Sequence, residues 1–111
     1  MKASSKYLGS LEQIVLLAVM RLGSNAYGVT VQQEIESRTG RDVSMGAVYA
    51  TLRRLRNKGY LSSSTGDATP ERGGRAKEFF RIEAPGKEAL ANTQEAVKAM
   101  TAGMSRRWKT T

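Results

Sequence analysis

Apolar residues recur at helical spacing in four stretches of the chain and alternate as in a strand in two. The helices are expected at residues 11–22, 27–39, 44–59 and 85–107, and the strands at 60–64 and 77–82. The first helix is apolar almost all round, with Ser10 as its cap and Gln13 placed for a capping box. The pattern therefore predicts a mainly α fold with one small β-hairpin.

The third helix, residues 44–59, has sequence signals at both ends. Ser44 can accept a hydrogen bond from the free N–H groups of the first turn, and Gly59 can take the left-handed conformation that ends a helix. Val48, Leu52 and Leu55 form a buried stripe, while the other faces begin with small residues and continue with arginines. Such a helix fits a DNA major groove. The alternative is a solvated basic face on an ordinary core helix.

The helices at 27–39 and 44–59 are separated by a short turn, which predicts a helix-turn-helix. The two strands that follow are joined by a Gly-rich loop, and Arg75 and Lys77 lie where that loop meets the second strand. A basic hairpin directly after a recognition helix is the plan of a winged helix. The alternative is an ordinary flexible loop.

The last helix carries one long apolar stripe, and it follows the strands that close the domain. The stripe consists of Leu90, Thr93, Val97, Met100, Met104 and Trp108. A stripe that continues beyond the domain needs a partner, and a symmetric dimer is the commonest solution. We expect a winged helix-turn-helix domain at 1–83 and a dimerisation helix at 84–111, which would grip the partner's first helix near Tyr7, Leu8 and Leu11.

Composition narrows the function. The chain has 111 residues, a net charge of +8 and neither cysteine nor histidine. Residues 41–82 hold nine basic and four acidic side chains, a net charge of +5, which suggests nucleic acid as the partner. Thiolate and imidazole chemistry is excluded, so we expect no enzyme, metal or cofactor. The apolar stretch at 11–22 is interrupted by charge and too short to span a bilayer, which favours a soluble cytoplasmic protein.

An ordered set of motifs resembles the PadR family of bacterial transcriptional regulators. The motifs are Tyr27-Gly28, Ser44-x-Gly46-x-Val48-Tyr49-x-x-Leu52-x-x-Leu55-x-x-x-Gly59-Tyr60-Leu61, Arg75-x-Lys77-x-Phe79-Phe80-x-Ile82 and Pro85-Gly86-x-x-x-Leu90. The single C-terminal helix is similar to the small subgroup of that family. The chain departs from the family in having Ala50 after Tyr49, and Phe80 and Glu83 at the end of the hairpin.

The resemblance implies a homodimer that binds a palindromic operator in double-stranded DNA and represses transcription. As a hypothesis, Ser44, Met45, Gly46 and Ala47 approach base edges, and Tyr27, Tyr49 and Arg53 bind phosphates. On the wing, Arg75 and Lys77 contact phosphates or the adjacent minor groove. The dimer contacts would come from Tyr7, Leu8, Leu11, Leu90, Val97, Met100, Met104 and Trp108. A small aromatic effector would lie against Met100, Met104 and Trp108, although such a stripe is more often plain interface.

A second class of function fits the same elements. A winged helix can serve purely as a protein interaction module, without sequence-specific DNA binding. Such a module would not need the positive charge of residues 41–82, and its binding would be insensitive to salt.

Overall fold

Four helices and one hairpin make up the computed structural model, which describes residues 7–66 and 77–104. The elements are α1 (Ser10–Leu22), a 3-10 turn (Gly23–Asn25), α2 (Gly28–Thr39), α3 (Met45–Asn57), β1 (Leu61–Thr65), β2 (Glu78–Ile82) and α4 (Ala84–Thr101). The predicted mainly α fold with a small hairpin is confirmed.

The two strands are antiparallel, and their register runs from Leu61 opposite Ile82 to Thr65 opposite Glu78. The hairpin is also joined to the segment before α2, because the Phe80 amide donates to the Ala26 carbonyl at 2.8 Å. The base of the wing and the start of α2 are therefore one hydrogen-bonded unit.

One apolar core joins all the helices and the hairpin. Its largest fully buried side chains are Leu16, Ile35, Leu52, Leu55, Val15, Val19, Val31 and Val48. Phe80 is also buried, at 2 % exposed, and its ring carries no polar group that would need a hydrogen-bond partner. The stripe predicted for α3 faces this core.

Several predicted helix ends are confirmed. The Ser44 hydroxyl accepts a hydrogen bond from the Ala47 amide at 3.1 Å. Gly40 and Gly59 follow α2 and α3 with φ of 71° and 83°, in the left-handed region where glycine avoids the strain of a side chain.

The start of α1 differs from the prediction. Gly9 is the cap and Ser10 is already helical, and the side chain that reaches back to the Gly9 amide is Glu12, at 3.0 Å, rather than Gln13. The reason is spacing, since the third residue after the cap is the one whose side chain lies over the cap amide.

The end of α4 also differs. The helix ends at Thr101 instead of residue 107, because Gly103 adopts a φ of 80° and turns the chain. Met104 therefore follows the helix, and Trp108 lies outside the described residues. At the other end, the Glu83 carboxylate accepts a hydrogen bond from Ser62 on β1 and leaves the α4 cap without a side-chain bond.

The first half of α4 packs into the same core as the other helices. A Cβ on Gly86 would lie 2.4 Å from the Tyr60 carbonyl oxygen, so only glycine allows this approach. Leu90 is buried, and the Thr93 hydroxyl accepts a hydrogen bond from the amide of Leu8 at 2.9 Å. Leu8 and Leu90, which were expected at the dimer interface, are thus buried within the subunit.

Glu12 connects α1 to the end of α3. The residue is 8 % exposed, and its carboxylate lies 3.3 Å from the Arg54 guanidinium and 3.2 Å from the Lys58 ammonium. Burial raises the pKa of the Glu12 carboxyl, but the Gly9 amide and the two cations outweigh burial and hold that pKa below its usual value.

We predict that Glu12→Gln destabilises the fold at neutral pH by about 1–3 kcal/mol, because charge-assisted hydrogen bonds are lost. A carboxyl whose folded pKa is lowered stabilises the fold above its unfolded pKa, near 4.5 here, and stops doing so as pH falls through the folded value. The difference in unfolding free energy between wild type and variant should therefore shrink from about pH 5 to pH 3. Urea unfolding followed by circular dichroism measures it.

The matched control is Glu88→Gln, which makes the same change at an exposed position of α4. A difference for Glu12→Gln that stays constant down to pH 3 would mean that its carboxylate is not held by these partners.

Candidate nucleic-acid interface

The outward side of α3 is a ridge opposite the buried stripe. Gly46, Ala50, Arg53 and Asn57 follow one another at spacings of four, three and four residues, and all four are exposed. Gly46 and Ala50 have no polar side-chain group, Arg53 carries a guanidinium, and Asn57 carries an amide. We call these four residues the α3 ridge.

The start of α3 is fixed by the turn that precedes it. The Gln32 side chain on α2 donates to the carbonyl of Val43 at 2.8 Å, one residue before the Ser44 cap. Met45 and Ala47 are half-buried, and Ala47 packs against the core. Of the residues expected to approach base edges, Ser44 and Gly46 are exposed, and these two contribute polar or backbone groups at the first turn.

Ala50 and Asn57 were not among the site residues expected from the sequence. The signal for them was available, because both lie opposite the stripe formed by Val48, Leu52 and Leu55. Projecting the helix from its buried stripe would have placed Ala50, rather than Ala47, on the outward face.

Tyr49 lies in the crossing between α3 and α2. A Cβ on Gly28 would be 2.4 Å from the Tyr49 ring, so this ring packs directly on the backbone of the first residue of α2. The Arg53 guanidinium, one helical turn further along α3, lies over this ring at 5.4 Å from its centroid. Tyr49 thereby carries an exposed cation at the α2–α3 crossing.

Tyr27, next to Gly28, brings the wing to the same crossing. The Lys77 ammonium lies 4.5 Å from the Tyr27 ring centroid and 3.4 Å from the Tyr27 hydroxyl. The Phe79 ring meets the Tyr27 ring edge-on, with centroids 5.3 Å apart. The structure thus places Tyr27, Tyr49, Arg53 and Lys77 around one junction of α2, α3 and the hairpin.

The remaining cations near the end of α3 are engaged by acidic side chains. Arg54 and Lys58 contact Glu12, and the Arg56 guanidinium lies 2.7 Å from the carboxylate of Glu78 on β2. Arg54 and Arg56 therefore connect α3 to α1 and β2 as structural charges.

The remaining predicted site residues do not lie at the junction of α2, α3 and the hairpin, or lie outside the described residues. Tyr7, Val97, Met100 and Met104 are exposed, at 61 %, 56 %, 78 % and 53 %, and Leu11 is half-buried. Arg75 and Trp108 lie outside the described residues.

Within residues 7–66 and 77–104, no helix has both the length and the apolar character needed to cross a membrane. The same residues contain no cluster of acidic side chains that could hold a metal ion.

A helix-turn-helix followed by a hairpin wing, with an exposed ridge on its second helix, defines a winged-helix protein of the DNA-binding class. Solved structures share this fold. A winged-helix DNA-binding protein from STIV superposes with a TM-score of 0.67 at 19 % identity, over 89 % of this chain and 99 % of that one. A PadR-like transcription factor from Bacteroides fragilis gives 0.67 at 22 % identity, over 82 % of each chain.

A PadR family regulator from Eggerthella lenta gives a TM-score of 0.66 at 20 % identity, over 91 % of this chain and 88 % of that one. The search of curated proteins found no match. The family model that matches is the transcriptional regulator PadR-like family, over residues 16–92. Because that range is more than half of the chain, the protein belongs to the PadR-like family of transcriptional regulators.

Proposed function

We propose that this transcriptional regulator is a repressor that binds a palindromic operator as a homodimer and places the α3 ridge in the major groove. The observation that carries this proposal is the sorting of charge on α3. Arg53 is exposed on the ridge, whereas Arg54 and Arg56 are engaged by carboxylates of α1 and β2.

The groups around the ridge have the chemistry of backbone contacts. Tyr49, Arg53 and Lys77 offer hydroxyl and cationic groups, which bind phosphate oxygens and fix register without reading sequence. Ser44, Met45 and the first turn of α3 face base edges in this proposal, together with Ala50. Arg75 adds a wing contact that rests on sequence alone.

The second half of α4 supports a dimer. Leu90 and Thr93 on its inner face are buried, but Val97 and Met100, which continue the same stripe, are exposed. Exposed methionine and valine at helical spacing favour burial against a second helix. In a symmetric pair the partner surface would be the start of α1, where Tyr7 is 61 % exposed.

Binding of the purified protein to DNA from upstream of its own gene, compared with random DNA over a salt series, tests the main proposal. We expect tighter binding to the upstream DNA and a steep loss of affinity with salt. Arg53→Ala should weaken binding to both DNAs and flatten the slope of log K against log salt by about one unit, because one phosphate contact is lost. Fluorescence anisotropy measures both quantities.

The control is Arg38→Ala, which removes the same charge from a residue that contacts Glu34 on α2. It should leave the salt slope unchanged. An unchanged slope for Arg53→Ala would remove Arg53 from the interface. Wild-type affinity that does not depend on the DNA sequence or on salt would favour the protein interaction module.

We predict that Met100→Glu converts a dimer to a monomer in sedimentation equilibrium, because a charge on the exposed stripe cannot be buried against a partner helix without a large cost. Ala91→Glu, which places the same charge on the opposite, exposed side of α4, should remain dimeric. A wild-type protein that is monomeric at micromolar concentration would contradict the proposal.

We also propose an effector site between the C-terminal segments of the dimer, supported by the exposure of Met100 and Met104. Methionine adapts to varied shapes, and tryptophan stacks on flat ligands. Trp108 is the sole tryptophan, so its fluorescence reports directly on such a site. Titration with planar aromatic cations should quench it with saturation, and a broad panel without quenching would restrict these residues to the dimer interface.

A further inference from the structure

We propose that Tyr27 is a positioning residue of the DNA interface, which holds the Lys77 ammonium at the junction of the wing with α2. This inference rests on the proposed function. It differs from the expectation drawn from the sequence, in which Tyr27 itself binds a phosphate.

The contact geometry favours the ring over the hydroxyl as the holding group. The Lys77 ammonium lies 4.5 Å from the ring centroid, well inside the range of a cation–π contact, which extends to about 6 Å. The bond to the hydroxyl is long, at 3.4 Å. The contact with the π face therefore lies well within its usual range, whereas the contact with the hydroxyl lies near the upper limit for a hydrogen bond.

Tyr27 is itself held by Phe79 through two contacts. Its backbone pairs with that of Phe79 in an isolated antiparallel bridge, and the two rings meet edge-on. The Phe79 ring in turn packs on Gly66 at the end of β1, where an added Cβ would lie 2.6 Å from the ring. Tyr27 thus contacts β2 directly through Phe79, and the Phe79 ring in turn contacts the residue that follows β1.

The backbone beside Lys77 is fixed as well. Its carbonyl accepts a hydrogen bond from the Gly66 amide at 2.7 Å, one step beyond the Thr65–Glu78 pair at the loop end of the hairpin. Lys77 therefore has an anchored main chain and a side chain directed onto the first turn of α2. A lysine loses considerable rotamer entropy when it binds a phosphate, and a side chain already held in place loses less.

A ring holds a cation without neutralising it. An acidic partner, such as Glu12 for Lys58, removes positive charge from the surface, whereas the Tyr27 ring leaves the full charge of Lys77 available to a phosphate. Positioning by an aromatic ring is therefore compatible with a role in DNA binding.

A double-mutant cycle tests this role, with the DNA that wild type prefers and a salt series. We expect Lys77→Ala to weaken binding about three- to tenfold and to reduce the salt slope by about 0.9, as for one phosphate contact. Tyr27→Met, which keeps similar volume without a π face, should reproduce both effects. In the Lys77→Ala background it should add less than about twofold, because the residue that it positions is gone.

The conservative variant Tyr27→Phe keeps the ring, so it should bind within about twofold of wild type and with the same salt slope. The control cycle pairs Arg53→Ala with Lys77→Ala. Arg53 contacts the Tyr49 ring instead, so these two effects should add. Thermal unfolding identifies variants that do not fold, and Tyr27→Leu replaces Tyr27→Met if the latter fails.

Two outcomes would overturn the inference. One is a loss from Tyr27→Met that is as large in the Lys77→Ala background as in wild type, which would mean that Tyr27 acts independently of Lys77. The other is a loss from Tyr27→Phe as large as that from Tyr27→Met, which would assign the role to the hydroxyl. Failure of wild type to prefer any DNA would instead overturn the proposed function, and it is detected before any variant is made.

Discussion

The arrangement of this domain depends on the buried carboxylate of Glu12. This carboxylate accepts a hydrogen bond from the Gly9 amide at the start of α1, and it contacts two cations from the end of α3, at 3.3 and 3.2 Å. Hydrophobic burial of the Val48 stripe is non-directional and would tolerate some rotation of α3. Charged hydrogen bonds at one end are directional, so they select the rotation at which the α3 ridge faces outward. Removing one partner of such an ion pair is costly, but replacing the whole pair by apolar residues often is not, so its effect on orientation is the better reason for its presence.

Five cations of α3 and the wing have two kinds of partner. Arg54, Arg56 and Lys58 lie against carboxylates, whereas Arg53 and Lys77 lie on tyrosine rings. Lys58 also lies 5.9 Å from the Tyr60 ring centroid, but its charge is met by the Glu12 carboxylate at 3.2 Å. Carboxylates neutralise the cations that connect elements of the fold, and neutral rings orient cations that keep their charge. The net charge of +8 is therefore a poor guide to the DNA surface unless each cation is assigned its partner.

The sequence predicts local structure well and long-range contacts poorly, for physical reasons. The spacing of Val48, Leu52 and Leu55 defines a helix and its buried side without knowledge of the rest of the chain. Glu12 meets its cations across 42 and 46 residues, and no periodicity encodes such a pairing. The same holds for Gly28 beneath the Tyr49 ring, since a glycine at the start of a helix is compatible with many neighbours. The end of α4 differs from the prediction because the apolar spacing continues through Met104 and Trp108, whereas Gly103 adopts a positive φ and glycine is a common stop signal of helices.

A continuous set of hydrogen bonds and ion pairs connects α4, which would form the proposed dimer interface, to α3, which would bind DNA. Thr93 on α4 accepts from the amide of Leu8, the adjacent amide of Gly9 donates to Glu12, and Glu12 contacts the end of α3. The exposed half of α4 is thus held at a defined angle to the α3 ridge through five residues of the α1 start. Two half-sites one helical turn apart require recognition helices about 34 Å apart, and each subunit must keep its own angle for that spacing to be met. In the proposed dimer, the short segment from Leu8 to Glu12 therefore joins the dimerisation helix to the recognition helix by directional bonds as well as by apolar packing.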